Sequence, residues 1–360
     1  MGSVKDFLVL EEPTKDNPGK AQFVFSDRYS VFDWGEMPDH IPDKGAAICI
    51  TSAYFFEKLE EQGIKTHYRG LVEDDEVKSL SELNSPQSHM ELSLLRVFKP
   101  RITGDAYDYS IYKDARANFV LPLEVIYRNA LPEGSSVFRR LKAGSLRLAD
   151  FGFDEMPYPG QILEMPLLDV STKREASDRY ISWDEAKALA GLNEEELEEL
   201  KRVTLHINAL ITREVKRAGL TNEDGKVEFG FDEARNLIVV DTIGTLDECR
   251  FTYEGMPVSK ELARLFYRNT NWYQVVEAAK REDKIAWRDL VDFKPPALPP
   301  VLRYTCSMLY KACCNDITQR VWFDDVPAIR ELQEELSGIL NLKRELSNAN
   351  LRTSRDRHEV

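Results

Sequence analysis

The stretch KVEFGFDEARNLIVVD, residues 226–241, decides how the chain is read. Its opening alternates: Lys226 and Glu228 fall on one side of a strand, and Val227, Phe229 and Phe231 on the other. Its close, Asn236 to Asp241, is again rich in β-branched residues, and Asp232 to Arg235 between them have turn chemistry. A hairpin is expected. With that turn, Phe231 pairs with Asn236 and Asp241 falls opposite Lys226. Glu228 and Asp241 then share a face, two carboxylates beside a lysine. Such a set suits magnesium bridging nucleotide phosphates, because magnesium takes few protein carboxylates and fills its shell with water and phosphate oxygens. A slip of one residue would part the two acids. On the hairpin alone, a solvated strand face with an ordinary ion pair is the better-supported reading.

Upstream of the hairpin, Asn193 with Glu196 signals a helix start, as do Ser182 and Glu185 before it. Leu197, Leu200, Val203, Ile207, Leu210, Ile211 and Val215 then form one apolar stripe, which Gly219 ends. Further back, Phe119 to Tyr127 (FVLPLEVIY) has strand character and is expected to cross between two lobes. Near the N-terminus AQFVF, residues 21–25, alternates with Ala21, Phe23 and Phe25 on one side. A turn-rich stretch over 26–45 follows, then a helix from about Thr51 to Gln62 closed by Gly63. Residues 71–90 are polar and acidic and read as a surface excursion. Downstream, the chain turns helical after Arg250. Pro295, Pro296, Pro299 and Pro300 mark a stiff connector, and Ile329, Leu332, Leu336 and Leu340 stripe a last helix that could cap the core or face another subunit. The polar tail from Ser347 reads as flexible.

The 360 residues are 42% hydrophobic and 31% charged, enough for a large core in about two domains. No apolar run approaches the ~20 residues that cross a bilayer. Lys5, Asp6, Glu11 and Glu12 exclude a signal peptide at the start, and Asp6 stands where a myristoylation motif needs Ser or Thr. A cytoplasmic protein is expected. The net charge of −14 argues against nucleic-acid binding, yet a local cluster of Arg and Lys could still hold a small anion. The five cysteines have no CxxC spacing and read as reduced thiols.

Neither GxxxxGK[ST] nor GxGxxG occurs, nor GxSxG nor HExxH. Two further groups carry chemistry. In RNALPEGSSVFRR, residues 128–140, Arg128, Ser135, Ser136, Arg139 and Arg140 suit a phosphomonoester, through bidentate guanidinium contacts and backbone donors. A polar loop with solubilising arginines explains them equally simply. In residues 19–45, Gly19-Lys20 could cover ATP phosphates, Asp33 lies among bulky apolar neighbours, and Lys44 follows a Pro-Asp turn. Asp33 could as well be a turn former. None of the histidines at 40, 67, 89, 206 and 358 has ligand spacing, and none is assigned to a metal or to acid–base work.

Taken in order, these segments resemble the SAICAR synthetase (phosphoribosylaminoimidazole-succinocarboxamide synthase) family. The resemblance is carried by Gly19 to Gln22, Ser30 to Asp33, Pro42 to Gly45, Pro122 to Asn129 with Gly134-Ser135, Thr172-Lys173 with Asp178, Lys226 to Gly230, and Asp241 to Arg250. It spans roughly residues 15–270, and several ordered motifs are far more specific than one. It implies an α+β fold with an antiparallel sheet in the N-terminal lobe, a larger second lobe and ATP in the cleft between them. The expected division is a nucleotide-binding lobe over 1–119, a substrate- and metal-binding lobe over 120–255, a helical region over 256–346 and a flexible tail over 347–360.

The resemblance also implies an ADP-forming ligase of purine synthesis. ATP would activate the carboxylate of carboxyaminoimidazole ribonucleotide (CAIR), and the amine of L-aspartate would attack it. Lys20, Gln22 and Lys173 would lie at the ATP phosphates and Phe119, Val120 and Leu121 along the adenine. Glu228 and Asp241 would hold magnesium. Arg128, Ser135, Arg140 and Arg250 would grip the ribotide phosphate, with Lys260 and Arg264 among the substrate contacts. Ser30, Asp33, Lys44, Asp178 and Lys226 would surround the reacting carboxylate and the amine, with Asp33, Lys226 and Asp178 catalytic. Gln22, Ser177, Thr242 and Leu246 depart from the family pattern, and Thr242 removes an acid beside Asp241. A diverged ligase with another amine or carboxylate, or a non-catalytic nucleotide-binding protein, are the alternatives. A homo-oligomer is compatible with the sequence; nucleic-acid and membrane partners are not expected.

Overall fold

The computed structural model describes residues 4–103, 106–175, 178–258, 260–283 and 286–336. Strands β1 (Lys5–Glu11), β2 (Gly19–Phe25), β3 (Tyr68–Glu73), β4 (Glu76–Lys78) and β5 (His89–Leu94) form an antiparallel sheet in the order β1-β2-β5-β3-β4. The alternation of β2 is as expected: Ala21, Phe23 and Phe25 are buried while Lys20, Gln22 and Val24 face partly outward. Helix α1 (Lys44–Glu60) packs against this sheet. It begins well before Thr51. Lys44 through Ala53 are buried on almost every side, between the sheet and a later helix, so this part of α1 has no polar face to reveal its period.

The surface excursion expected over 71–90 is corrected to strands β3, β4 and β5. Their polar residues converge on one buried carboxylate. Glu73 accepts hydrogen bonds from the backbone N–H groups of Asn84 and Ser85, from the Gln87 amide and from Lys78. Polar residues with a buried partner look, in sequence, like polar residues in water.

Beyond a two-stranded pair, β6 (Arg101–Thr103) and β7 (Ala106–Asp108), and the short helix α2 (Ser110–Asp114), the chain enters the larger sheet. Strand β8 (Phe119–Leu131) lies between β9 (Gln161–Thr172) and β10 (Thr221–Phe231). On its far edge β10 carries β11 (Leu237–Val240) at one end and β12 (Cys249–Tyr253) at the other, with β13 (Met256–Pro257) outermost. All pairings are antiparallel. The chain after Arg250 therefore stays in the sheet before turning helical, because Arg250 and Phe251 pair with Asp224 and Asn222. Parallel bridges Thr66↔Val239 and Arg96↔Phe119 tie the two sheets together. The fold is α+β.

Helices α3 (Ser136–Lys142), α4 (Trp183–Ala190), α5 (Glu194–Arg217), α6 (Glu261–Arg268), α7 (Asn271–Glu282) and α8 (Pro300–Thr318) surround the sheets. The Asn193–Glu196 capping box is formed, the whole apolar stripe of α5 is buried, and Gly219 takes φ +75° just past its end. The proline-rich connector hides α8. Pro300 is its first residue, where a missing N–H costs nothing. Cys306, Leu309, Tyr310, Cys313, Cys314 and Ile317 bury α8 against α1 and α5. All five cysteines are free and buried. A helical segment over 329–336 sets Ile329, Leu332 and Leu336 into the main core, so this stripe caps the core; Leu340, Ser177 and the tail over 347–360 lie outside the described residues. Among the described residues no helix is long and apolar enough to cross a membrane.

Candidate active site

Three neighbouring rows of side chains on one face of the larger sheet build the site. Antiparallel register sets Glu228 of β10 opposite Glu124 of β8, which in turn faces Ser171 of β9. The next row holds Lys226, Ile126 and Asp169, and the third Arg250, Asp224 and Arg128. Residues two apart on a strand share a face, so the charges Asp224, Lys226 and Glu228 line up along β10 and meet those of β8.

Glu124 is the hub of the first two rows. Its Oε1 accepts from Lys173 Nζ at 2.6 Å and Lys226 Nζ at 2.7 Å. Lys173 also reaches Glu228 at 2.9 Å, and Lys226 reaches Glu248 at 3.2 Å. Burial alone would raise the Glu124 carboxyl, but the two ammonium groups pull it down to about 2. Glu228 goes the other way. Burial and the neighbouring charge of Asp241 push it up to about 7, against the pull of Lys173.

The hairpin register differs from the expected one by a single residue: Phe231 faces Leu237 and Glu228 faces Val240. By strict alternation that slip would part Glu228 from Asp241. It does not, because β11 ends at Val240 and Asp241 takes a left-handed backbone, φ +65°, that turns its side chain out of the strand phase. The Asp241 carboxyl hydrogen-bonds Glu228, and Lys5 on β1 ion-pairs with it. Lys5 and Lys173 hold Asp241 well below the usual carboxylate range, despite a burial that acts the other way. His67 Nε2 donates to the Asp241 carbonyl oxygen at 3.0 Å, and burial drops its pKa to about 4.

Lys20 is elsewhere. It pairs with Glu91 at 3.0 Å on the side of β2 that it shares with Gln22. The cation beside Asp241 is Lys5, whose Nζ lies 4.1 Å over the ring of Phe23 on the opposite side of that strand. Of the three residues expected along the adenine, Phe119 and Leu121 are fully buried in the main core. Only Val120 faces the small apolar group of Leu95, Ile238 and Val240 between the sheets.

The third row is an arginine–aspartate lattice. Buried Arg128 donates to Asp169 at 3.0 Å, to Asp224 at 3.4 Å and to the Ser136 hydroxyl at 3.2 Å, and its Nε has no partner among the described residues. Arg140 pairs with Asp169 and stacks 4.1 Å over Tyr180, while Arg250 pairs with Asp224 at 2.9 Å. Ser135 is the N-cap of α3, accepting from Val137 N–H. Carboxylates thus hold the guanidinium groups in place.

An open cleft runs over the second and third rows and over Glu124 and Ser171 of the first, lined by Asp33, Asp178, Lys226, Arg128, Arg250, Lys260 and Arg264 of the expected residues, together with Asp224 and Glu248; Glu228 and Asp241 lie outside its lining. The Asp178 carboxyl is pushed up to about 6 by partial withdrawal from water and by the charge of Glu124. Lys44 lies behind the wall, only 1% exposed, and pairs with the cleft-lining Asp247 at 2.7 Å, which Tyr310 also holds. Ser30 is half-buried in the loop that carries Asp33. Thr242, which stands where the family pattern has a second acid, donates its hydroxyl to Glu248 at 3.5 Å, and Leu246 lines the cleft.

Glu124, Asp169, Asp224 and Lys5 were not singled out from the sequence. The first three had a signal: Glu124 shares strand phase with Arg128, Asp224 with Lys226 and Glu228, and Asp169 with Ser171. Lys5 had none beyond its place in an alternating strand.

The SAICAR synthetase family model matches residues 2–280. A protein of Archaeoglobus fulgidus, provisionally named a phosphoribosylaminoimidazole-succinocarboxamide synthase, is 51% identical over 94% of this chain and 100% of its own length. The phosphoribosylaminoimidazole-succinocarboxamide synthase of Thermoplasma acidophilum is 32% identical over 89% of this chain and 98% of its own. In fold, the chain is similar to the SAICAR synthase of Saccharomyces cerevisiae complexed with SAICAR, with TM-score 0.60, 20% identity and coverage of 89% of this chain and 94% of that one. A SAICAR synthetase in complex with ADP superposes with TM-score 0.54 at 22% identity, covering 82% and 99% of the two chains. By the family match and by these relatives over nearly its whole length, the chain belongs to the SAICAR synthetase family.

Proposed function

We propose that the cleft joins L-aspartate to CAIR with ATP, giving SAICAR, ADP and phosphate, as an ATP-dependent ligase of purine synthesis. The observation that carries this is the pairing, on one sheet face, of a carboxylate–lysine cluster at Glu228 and Asp241 with an arginine lattice at Arg128 and Arg250. An activated ribotide needs both ends: one to neutralise a triphosphate, one to anchor a phosphomonoester. In the first step an oxygen of the CAIR carboxylate bonds the γ-phosphorus and ADP leaves. In the second the aspartate ammonium gives up one proton, its nitrogen bonds the acyl carbon, inorganic phosphate leaves, and the nitrogen loses a second proton.

Glu228 and Asp241 fit a magnesium ion. Two buried oxygen-donor carboxylates lie side by side, and burial together with the Asp241 charge raises Glu228, as expected of a site whose charge a divalent cation would balance. Bound there, magnesium supplies positive charge against the nucleotide phosphates. Lys5 and Lys173 add fixed cations beside it, and the apolar group around Val120 offers the adenine a dry surface. Arg128, Arg140, Arg250 and Ser136 orient the ribotide phosphate, with Ser135 capping the helix that carries Ser136. Lys226 offsets the reacting carboxylate, and Asp33 and Asp178 meet the ammonium of aspartate, with Lys260 and Arg264 toward its carboxylates. The chain works in the cytoplasm, with a nucleotide-binding lobe up to about residue 119.

The test is ADP release with CAIR, L-aspartate and magnesium, run beside Glu228→Gln. Wild-type enzyme should release ADP only with both substrates present. Glu228→Gln should lose roughly 100-fold or more in kcat, as for loss of a charge-stabilising group, and need more magnesium. ADP release that ignores aspartate, or ATP binding with no turnover, would sink the assignment.

A further inference from the structure

The turn that carries Asp33 is strained, and a distant part of the chain holds it. Phe32 and Asp33 take consecutive left-handed backbones, φ +54° and +59°. Neither is glycine, and such a pair persists only where the surroundings over-determine it. Lys280, near the end of α7, donates to the Phe32 carbonyl oxygen at 2.8 Å and to Asp33 Oδ2 at 2.8 Å. Arg288 donates from Nε to the Asp33 carbonyl oxygen at 3.1 Å, and its Nη2 donates to the same oxygen. Both carbonyls of the strained turn thus accept from cations that lie far along the chain.

Aromatic packing fixes the same turn from its sides. The Phe32 ring lies 4.5 Å from Tyr273, and Trp34 packs 5.4 Å from Trp272 and 6.0 Å from Trp287. Lys280 and Arg288 each stack on Trp287, at 4.8 and 4.9 Å. Despite these attachments the Asp33 side chain is 83% exposed and lines the cleft. A residue that is pinned through its backbone, and whose carboxylate stays exposed although Lys280 holds its Oδ2, is held for something outside the fold. Trp287 and Arg288 lie beyond the span matched by the family model, which ends at residue 280.

We propose that Trp272, Tyr273, Lys280, Trp287 and Arg288 form a clamp that sets Asp33 for the amine substrate, with Lys280 and Arg288 as positioning residues. The clamp rests on the reading that Asp33 meets L-aspartate. A carboxylate attracts the ammonium of an amino acid and repels the ribotide phosphate and ATP. Displacing it therefore weakens aspartate first.

Arg288→Met removes the donor to the Asp33 carbonyl without touching the Asp33 carboxylate, whereas Lys280→Met removes both the donor to the Phe32 carbonyl and the ion-pair partner of the carboxylate. In each, KM for aspartate should rise roughly tenfold, equivalent to about 1.4 kcal/mol, with kcat and KM for ATP changed less than about twofold. Arg288→Lys, which keeps a cationic donor, should recover most of the difference. An unchanged KM for aspartate in both methionine variants overturns the clamp. So does a parallel fall of every constant with a lowered Tm in both, since that is loss of folding rather than of position. Wild-type enzyme assayed beside them separates the two readings: no SAICAR from wild type refutes the ligase assignment, whereas normal wild-type turnover with indifferent variants refutes only the clamp.

Discussion

Replacing Glu124 by glutamine keeps the shape and one acceptor oxygen but removes the charge that Lys173 and Lys226 share. The Glu124 carboxyl is 6% exposed and its pKa falls from an ordinary 4.5 to about 2. At about 1.4 kcal/mol for each pH unit, the charged form stabilises the fold by about 3 kcal/mol. The sign follows from the direction. A folded-state value below the unfolded one gives stability that is complete above pH 5 and is lost as pH falls toward 2. With an unfolding entropy of roughly 2.1 cal/mol/K per residue, a chain of this size should lose about 4 °C in Tm at pH 7. Urea unfolding of Glu124→Gln and wild type at pH 7 and pH 3 reads both quantities, and the gap between the proteins should narrow at the lower pH. A variant within about 0.5 kcal/mol of wild type at pH 7, or a gap that holds constant down to pH 3, would refute the reasoning, because either would mean that the two lysines do not depend on this charge.

Lys5 and Lys20 separate the observed cation from the expected one: Lys5→Ala should cut kcat/KM for ATP roughly 10- to 100-fold, as for loss of a charge-assisted hydrogen bond, whereas Lys20→Ala, paired with Glu91 on the other side of β2, should stay within about twofold in the same assay. Asp178, with its carboxyl near pH 6 in the free protein, is an anion above that pH and protonated below it. The kcat/KM for aspartate should therefore fall as pH drops through about 6, and a pH–rate profile of Asp178→Asn should lack that limb.

What could be seen in the sequence depended on whether a residue's partners were local. The α5 stripe from Leu197 to Val215 and its Asn193 cap are visible because a helix repeats its own contacts every turn. The alternation of Ala21, Phe23 and Phe25 is visible for the same reason in a strand. Helix α1 before Thr51 and helix α8 were not, since both are buried on most sides and carry no periodic polar face. Within the site, Arg128, Lys226, Glu228 and Asp241 stood out as charges in apolar strands. Glu124 stood in the same strand as Arg128 and was passed over, because its role exists only once β8 lies between β9 and β10.

The sequence by itself determined the elements with a periodic polar face, the charged strand faces and, through ordered motifs, the family and its chemistry. Tertiary structure decided which charges meet. The hairpin register slipped by one residue from the simplest turn, and the left-handed backbone at Asp241 restored the acid pair that strict alternation would have lost. Lys5 came to pair with Asp241 while Lys20 pairs with Glu91, and cations from residues 280 and 288 came to hold the turn at Asp33. The physical reason is range: backbone periodicity is written into neighbouring residues, whereas an ion pair between strands hundreds of residues apart depends on register and φ, and a single residue or a single dihedral changes either.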